Sequence, residues 1–413
     1  MDYRLYDPKK DKDTVYRIWL ETGWLKKDHP EPLDLLLKSE RALIAEQHGE
    51  AECLVLTTPG DLRYLDNILT FRVVAAVTTS QVARRQGLAR RLTAQAVALD
   101  AANGAALAGL GMFEQGFYNH LGFGSFAYEH RVRFDPARLN VEAKARPPYR
   151  LTEADAARVH TNRLHRRRRH GSVSIYDVNY TKADISFAQT YFARGFGLGY
   201  QDETSGEFTH HLWGAMEEAE FGPLNILWMA YQTQEQLLEL LALVKIQSDQ
   251  VTWVNMVEPP GLQMQDLIEQ PIRQRRVSER SKFPSGIRTQ SNCQMRICDL
   301  NACLRQTHLP AGEVRFNLEL SDPIEDFLDP DAPWQGISGS YVIILGAASS
   351  AERGRDERLP TLHASVGAFT RMWLGVRPAS GLVVSDNLAG PPDLLDALDG
   401  LLCLPVPMVD WPF

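Results

Sequence analysis

Several features that define special classes of protein are scarce or missing in this chain of 413 residues. It has five cysteines, an odd number too small for a disulfide framework, which favours free thiols in a reducing cytoplasm. No apolar run approaches the roughly 18–20 residues that span a bilayer. The first residues, Met1–Arg4, are not followed by the apolar core of a signal peptide. We therefore expect a cytoplasmic protein that has no membrane partner.

Positively charged residues are also fewer than negatively charged ones. Against 52 Asp and Glu there are 44 Lys and Arg, so the formal net charge is −8. This balance disfavours nucleic acid as a partner and tolerates a cationic small molecule or a basic protein tail better. The exception is Arg166–Arg169, four consecutive arginines. Because no aromatic residues are interleaved with them, we expect a solvated helix face rather than a nucleic-acid contact.

Metal-binding patterns are absent as well. Cys293, Cys298 and Cys303 are five residues apart, which leaves no CxxC pair of the kind that holds zinc. His210 and His211 would face opposite sides of a strand and could not easily bind one ion. We therefore expect no metal site.

The remaining composition, 44% hydrophobic and 23% charged, is typical of soluble globular proteins. At about 100–200 residues per domain, the length predicts two to four domains. The first part predicts a mixed sheet with helices on its faces. The predicted elements are a helix from Asp13 to Gly23, a hairpin over 41–57, a strand over 72–77, a helix from Leu88 and strands over 105–110 and 126–134.

Two changes of pattern divide the rest of the chain. Arg146-Pro147-Pro148 interrupts it, Thr152 with Asp155 resembles a capping box that opens a helix, and a second β-α-β unit is predicted over 225–257. The pattern changes again near 285–286. The remainder, in which a strand is predicted over 363–369, predicts a third α+β unit. We place the domains at 1–145, 146–287 and 288–413.

The segment Val77–Leu92 has the strongest functional pattern. A buried strand ends, a short basic loop follows, and Gly87 lies at the start of an amphipathic helix. Free N–H groups at a helix start, a glycine that allows close approach and nearby arginines together favour a pyrophosphate. The Walker pattern is absent, and only one of the three glycines of a dinucleotide fingerprint is present.

These residues carry a resemblance to a known family. The R-R-x-G-x-A sequence of Arg84–Ala89, after a Val-Thr strand end, resembles motif A of the GNAT N-acetyltransferases, which binds the pyrophosphate of acetyl-CoA. Phe117–Phe123 matches the FY-x-x-x-GF sequence often found downstream in that family. The whole chain resembles the enhanced intracellular survival (Eis) branch. The resemblance implies an α/β GNAT domain, a degenerate second GNAT-like domain, a C-terminal sterol-carrier-protein-like α+β domain and a homohexamer.

The resemblance also implies roles for individual residues. Tyr118 would be the general acid, and the terminal carboxylate of Phe413 would enter the active site as the base. Acetyl-CoA would be bound by Val77, Thr78, Thr79, Arg85, Gln86, Gly87, Leu88, Ala89, Arg90, Phe113 and Glu114. Trp24 and Asp28, which follow the first helix, are predicted to line the acceptor pocket. Phe113 departs from the small residue common in the family, and Pro412 stiffens the tail.

The predicted function is transfer of an acetyl group from acetyl-CoA to a primary amine such as an aminoglycoside, a polyamine or a lysine side chain. Two alternatives stay open, a non-catalytic acyl-CoA sensor and an apolar-ligand carrier that uses the third domain. Tyr118 could be an ordinary core aromatic and Phe413 a frayed terminus. The second β-α-β unit has Gln232–Glu235 where a phosphate loop would lie, so we expect it to be scaffold.

Overall fold

The structure is a computed structural model that describes residues 3–38, 41–192, 194–217, 221–271 and 286–413. Its strands are β1 (Tyr3–Leu5), β2 (Arg41–Gln47), β3 (Glu50–Tyr64), β4 (Asn67–Thr79), β5 (Leu107–Gly111), β6 (Gly124–Ser125), β7 (Glu129–Phe134), β8 (Tyr149–Leu151), β9 (Val173–Ile175), β10 (Arg194–Gln201), β11 (Phe208–Met216), β12 (Leu224–Ala230), β13 (Val254–Val257), β14 (Gly286–Gln290), β15 (Cys293–Ile297), β16 (Val314–Ser321), β17 (Gly339–Leu345), β18 (Ser350–Arg353), β19 (Thr361–Ser365) and β20 (Leu388–Ala389). Its α-helices are α1 (Lys12–Thr22), α2 (Glu31–Leu36), α3 (Leu88–Ala102), α4 (Ala156–Leu164), α5 (Val178–Tyr191), α6 (Gln234–Lys245), α7 (Leu300–Arg305), α8 (Val366–Trp373), α9 (Ala379–Ser385) and α10 (Pro392–Leu401).

The first sheet is mixed and carries the segment with the phosphate-binding pattern. Its strand order is β1-β2-β3-β4-β5-β15-β6, with β9 paired to β3. β4 and β5 run parallel and are joined by α3, which packs on β3 and β4 through buried Leu88 and Leu92. The predicted hairpin is confirmed: β2 and β3 meet at His48 and Gly49, and both have positive φ angles. The predicted first helix is confirmed too, with Gly23 as its left-handed C-cap.

A bulge changes the direction of β4 beyond its pairing with β5. The β4–β5 register ends at Val74 opposite Leu110, whereas β4 continues to Thr79 against β3. Between Leu54 and Leu56 the β3–β4 register shifts by one residue, and Ala76 has a φ of 53°. A bulge of this kind bends a strand and increases its twist. Among the described residues, the end of β4 therefore pairs with no strand on the side of β5.

The second sheet has the order β14-β7-β13-β12-β11-β10-β8. Its parallel pair β12 and β13, connected through α6, confirms the predicted second β-α-β unit. The glycine-rich Gly195–Gly199 lies inside β10, between β8 and β11. The side chains of Trp213 and Leu151 lie against β10 at Gly197. A side chain in place of Gly197 would therefore collide with both.

Strand pairing crosses the predicted domain boundaries. β7 lies within the predicted first domain but pairs in the second sheet with β13 and β14. β15 lies within the predicted third domain but pairs in the first sheet with β5 and β6. The units predicted from the chain order are therefore joined by strand pairing between residues distant in sequence.

The third sheet has five strands in the order β18-β17-β16-β19-β20. The strand predicted over 363–369 ends at Ser365, whose side chain accepts a hydrogen bond from the N–H of Ala368 and caps α8. In the part of the chain that the structure describes, no helix is long and apolar enough to cross a membrane.

The expectation for the four arginines is wrong. α4 ends at Leu164, so Arg166–Arg169 follow the helix rather than lie on it. Arg166 is buried and pairs with Asp410, and Arg168 pairs with Asp61. Carboxylates far away in sequence neutralise these charges, a contact that a local charge pattern does not reveal.

Candidate active site

The loop between β4 and α3 presents backbone N–H groups at an open surface. Gly87 is the N-cap of α3, with a φ of 79°, and Arg85 has a φ of 60°. Apart from Gly87 and its neighbours in the chain, no atom of the described residues lies within 4 Å of the position that a Cβ at Gly87 would occupy. No side chain caps the helix at this end. The first N–H groups of α3 and the helix dipole therefore face a space in which an anion is favoured.

The side chains of this loop add positive charge. Arg84 and Arg85 are exposed, and neither has a hydrogen-bond or ion-pair partner among the residues that the structure describes. Arg90 is half-buried, and its guanidinium lies over the rings of Phe117 at 5.6 Å and Phe327 at 5.2 Å. The loop therefore fits a phosphate group through both backbone and side chains.

The end of β4 lies next to this loop. Thr78 is buried and Thr79 donates a hydrogen bond to the sulfur of Cys53 over 3.4 Å. Val77 is half-buried and packs on the same apolar cluster as Leu88 of α3. The three residues predicted to contact the pantetheine arm therefore lie on a strand end that is continuous with the phosphate-binding loop. Gln86 is held by hydrogen bonds with Val82 and Gln47, and Ala89 is half-buried.

Tyr118 opens a 3₁₀ turn, Tyr118–Leu121, and lies in the same apolar cluster as Cys53 and Leu110. Its ring is 8% exposed and packs edge-on against Phe117. Its hydroxyl has no hydrogen-bond partner among the described residues. Burial raises the pKa of the Tyr118 hydroxyl to about 12, and the neighbouring Cys53 thiol adds to the rise. The phenol therefore keeps its proton and is free to donate it in a hydrogen bond.

An aromatic pair lies beyond the end of β5. Phe113 is 83% exposed, and its ring meets Trp24 edge-on at a centroid distance of 4.9 Å. Trp24 in turn packs against buried Trp19 at 5.6 Å. A residue predicted for the acceptor pocket is thus in contact with one predicted for acetyl-CoA. Asp28 and Glu114 are exposed, and among the residues that the structure describes neither side chain has a hydrogen-bond or ion-pair partner.

The C-terminus lies at the end of β5. A terminal oxygen of Phe413 lies so close to Gly111 that a Cβ there would overlap it. The ring of Phe413 packs against Phe71 of β4 at 5.9 Å. Gly111 follows Leu110, the last residue of β5 paired with β4, so the carboxylate lies where the two strands separate. Sequence reasoning missed Gly111, and its only signal was a glycine at the end of a buried strand.

The structure therefore brings the predicted residues together in three groups. The loop residues adjoin the end of β4, Trp24 meets Phe113, and Phe413 reaches Gly111. Tyr118 and Phe413 belong to different apolar clusters, although each lies beside a residue of β5. Within the described ranges, no group of three or more His, Cys, Asp or Glu side chains could hold a metal ion.

Comparisons with known proteins agree with this geometry. Residues 2–126 match the family described as acetyltransferase (GNAT) domain. A probable N-acyltransferase from Enterococcus faecalis V583 has a similar fold, with a TM-score of 0.79, 16% identity and coverage of 100% of this chain and 99% of that one. A GCN5-related N-acetyltransferase from Anabaena variabilis ATCC 29413 gives a TM-score of 0.78 at 12% identity, with both chains covered completely.

Eis1 from Mycobacterium abscessus is also similar, with a TM-score of 0.75, 14% identity and complete coverage of both chains. No match was found among curated proteins. The family match covers the phosphate-binding loop, β4, β5 and Tyr118, while the structural likeness extends over the whole chain. Residues 2–126 therefore match an acetyltransferase (GNAT) domain, and the whole chain shares the fold of these solved structures.

Proposed function

We propose that this protein transfers an acetyl group from acetyl-CoA to a primary amine and that the Phe413 carboxylate is the base. The observation that carries the proposal is the contact between the terminal oxygen of Phe413 and Gly111, at the point where β4 and β5 separate. A chain end packed into a sheet opening is unusual, because termini are ordinarily exposed and loosely held. Its place beside the open end of β4 supports a role in the reaction.

The acyl donor would extend along the sheet from the phosphate-binding loop. Arg85, Gly87 and Arg90 would hold the pyrophosphate at the start of α3. The pantetheine amides would pair with the free edge of Val77–Thr79, as an added strand pairs with an exposed sheet edge. The thioester would then lie near Gly111 and Phe413, because the register places the end of β5 beside the open part of β4.

The reaction needs one proton acceptor and stabilisation of one leaving group. An alkylammonium has an ordinary pKa near ~10, so its proton must be removed before the nitrogen attacks. The Phe413 carboxylate would take that proton, directly or through one water. The C–N bond forms as the C–S bond breaks, and the electron pair leaves with the CoA sulfur. The nitrogen loses a second proton as it becomes an amide, and this proton converts the departing thiolate into the thiol of CoA.

Tyr118 would stabilise the departing sulfur. A thiol has an ordinary pKa near ~8.5, well below the value of about 12 to which burial raises the pKa of Tyr118. Complete proton transfer from the phenol to a free thiolate is therefore uphill. A hydrogen bond from the neutral hydroxyl to the sulfur, strengthened as negative charge develops, is the role that fits this pKa.

The residues near the predicted acceptor pocket favour a cationic amine as the acceptor substrate. The Trp24–Phe113 pair offers aromatic surface that attracts an ammonium group. Asp28 and Glu114 are exposed acidic side chains in the flanking segments, and the net charge of −8 favours approach of a cation. An aminoglycoside, a polyamine and a lysine side chain all meet these requirements.

The test of this function is an assay of CoA release and amide formation with a panel of primary amines. We expect both products in a one-to-one ratio for at least one polyamine, aminoglycoside or lysine peptide. Binding of acetyl-CoA without turnover on the whole panel would instead favour the acyl-CoA sensor. Absence of acetyl-CoA binding would contradict both functions.

A substitution at Gly87 tests the phosphate-binding loop. Gly87→Glu adds a side chain and a negative charge in the open space before α3. We expect affinity for acetyl-CoA to fall at least tenfold, about 1.4 kcal/mol, in a calorimetric titration. Gly104→Glu is the matched control, since Gly104 also has a positive φ and open surroundings but lies at the other end of α3. Equal affinities of the two variants for acetyl-CoA would contradict the proposal that this loop binds the pyrophosphate.

Gly111 gives a separate test of the C-terminal site. The Cβ of Gly111→Ala would overlap the terminal oxygen and force the carboxylate away from β5. Because displacements of about 1 Å can cost a factor of ~100 in rate, we expect kcat to fall at least tenfold. We expect acetyl-CoA affinity to change less than twofold. Gly400→Ala, at an open position in α10, should leave both quantities unchanged.

The proposal extends to the organisation of the chain. We also propose that the chain divides into domains at 1–145, 146–287 and 288–413 and that the protein is cytoplasmic. The five-stranded sheet of β16–β20 with α8, α9 and α10 supports a sterol-carrier-protein-like third domain. The resemblance to the Eis family is the support for a homohexamer, and sedimentation equilibrium would give the subunit number.

A further inference from the structure

The last residues before Phe413 are bound by a segment of the predicted second domain. This segment, which we call the clamp, runs from His160 in α4 to Ser172 before β9. It lies far from the phosphate-binding loop in sequence, and it contains all four consecutive arginines, of which Arg166 and Arg168 pair with the carboxylates of Asp410 and Asp61. The sequence of the predicted second domain has Gln232–Glu235 where a phosphate loop would lie, so a contribution of this domain to the reaction would have another origin.

Asp410 forms the charged part of the contact. Nε of Arg166 donates a hydrogen bond to Oδ2 of Asp410 over 3.0 Å, and the Ser172 hydroxyl donates to the same oxygen over 3.1 Å. Nη2 of Arg166 pairs with Oδ1, which makes the ion pair bidentate. Bidentate pairs fix orientation as well as distance.

Arg166 is itself held in place by backbone carbonyls. Its Nη1 donates to the carbonyl of Arg163 over 2.8 Å and its Nη2 to that of Val173. The side chains of Arg166 and Asp410 are only 5% and 11% exposed. The guanidinium is therefore fixed before the tail binds, and little conformational entropy remains to be lost in the ion pair.

Trp411 forms the aromatic part of the contact. It is completely buried, with the guanidinium of Arg163 over its ring at 4.0 Å and that of Arg166 at 5.1 Å. Arg163 also lies over Trp228 at 4.6 Å and pairs with Asp184 at 2.7 Å. The Trp411 indole N–H has no hydrogen-bond partner among the described residues, so stacking and packing hold this ring.

The clamp also holds the chain before Asp410. The Met408 N–H donates to the carbonyl of His170 over 3.1 Å, and a Cβ at Gly171 would collide with Pro407. Phe413 is three residues beyond Asp410, at most about 10 Å of extended chain. Fixing Asp410 and Trp411 therefore limits where the terminal carboxylate can lie.

We propose that the clamp positions the Phe413 carboxylate for catalysis and that Arg166 is the principal positioning residue, acting through Asp410. The inference rests on the proposed function, since it presumes that this carboxylate is the base. It gives the second domain a part in the reaction, although its sequence has no phosphate-binding pattern after β12. A buried ion pair is a poor source of stability but defines one register, as a positioned chain end requires.

The test compares Asp410→Asn and Arg166→Met with Arg168→Met in N-terminally tagged enzyme. Arg168 belongs to the same segment and pairs with Asp61, but it does not contact the tail, so Arg168→Met is the matched control. We expect kcat to fall at least tenfold in the first two variants with acetyl-CoA affinity changed less than twofold. The control should retain kcat within twofold.

A second comparison separates positioning from general loss of structure. One glycine is added after Phe413, and Asp410→Asn is then introduced into this extended chain. If the clamp acts only through the carboxylate, Asp410→Asn costs at least tenfold in the normal chain and less than twofold in the extended one. Equal losses of kcat in the normal and the extended chain would contradict the proposed role of the clamp. A loss of kcat in Arg168→Met as large as that in Arg166→Met would contradict it too.

Different results would contradict the proposal for the base and the proposal for the clamp. If the glycine extension abolishes turnover while Asp410→Asn and Arg166→Met leave kcat unchanged, the carboxylate is the base but the clamp does not position it. If the glycine extension itself leaves kcat unchanged, the proposed base is wrong, and the clamp loses its role with it.

Discussion

Adding one glycine after Phe413 is expected to reduce kcat by about 100-fold or more, while the affinity for acetyl-CoA stays within twofold of the native value. The extension keeps a terminal carboxylate but moves it by about 3.3–3.6 Å of backbone. The space beside Gly111 that now contains the terminal oxygen would then contain a peptide carbonyl, which is not a base. Steady-state kinetics with a saturating amine, together with calorimetry for acetyl-CoA, measure both quantities.

The control for this result is a glycine placed at the N-terminus of the same chain, a change that leaves the terminal carboxylate as it is. A native rate in the C-terminally extended enzyme would show that another group accepts the proton. Glu114 or a chain of water molecules would then have to take that role.

Tyr118→Phe is expected to reduce kcat at least 100-fold, because it removes the one hydroxyl proposed to stabilise the departing sulfur. The aromatic ring and its edge-on packing against Phe117 remain, so the fold and the affinity for acetyl-CoA should change little. Tyr149→Phe is a matched control, since Tyr149 is 55% exposed in β8 of the second sheet.

The pH dependence adds a check on Tyr118. Since burial raises the pKa of its hydroxyl to about 12, the neutral, proton-bearing form persists throughout the ordinary assay range. The native enzyme should therefore lose no activity through ionisation of Tyr118 between pH 7 and about pH 10, which is the ordinary pKa of a tyrosine. A loss of acetyl-CoA affinity equal to the loss of kcat in Tyr118→Phe would point to a purely structural tyrosine.

Local sequence predicted the elements whose signals are local. The αL residues His48 and Gly49 mark the β2–β3 hairpin, and Thr152 with Asp155 forms the predicted capping box before α4. Gly87 lies at the N-terminus of α3, as the loop pattern predicted. In each case a few neighbouring residues determine the backbone conformation, so the pattern is sufficient.

The sequence was less informative where short apolar runs were ambiguous. β4 was predicted over 72–77 but extends from Asn67 to Thr79, because the polar residues at its start pair across the hairpin with β3. Val366 and Phe369 were assigned to a strand but lie in α8. A short apolar run fits either element, and the cap at Ser365 decides between them.

No local sequence pattern predicted the contacts between residues that are distant in the chain. Nothing in the sequence of β15 indicates that it pairs with β5 rather than with its neighbours in the chain. Arg166 resembles a surface charge until Asp410, 244 residues away, is placed beside it. The approach of Phe413 to Gly111 likewise depends on the whole fold, because the two residues are about 300 positions apart in the sequence.

The most direct test of the account is the single-turnover rate of an enzyme in which the Phe413 carboxylate is converted to a carboxamide by peptide ligation. This change keeps the arrangement of heavy atoms at the end of the chain, removes the negative charge and the basicity, and replaces one acceptor oxygen by a donor NH2 group. The account predicts a rate at least 100-fold below that of a ligated enzyme with the native carboxylate, with acetyl-CoA binding preserved. Equal single-turnover rates in the two ligated enzymes would contradict it.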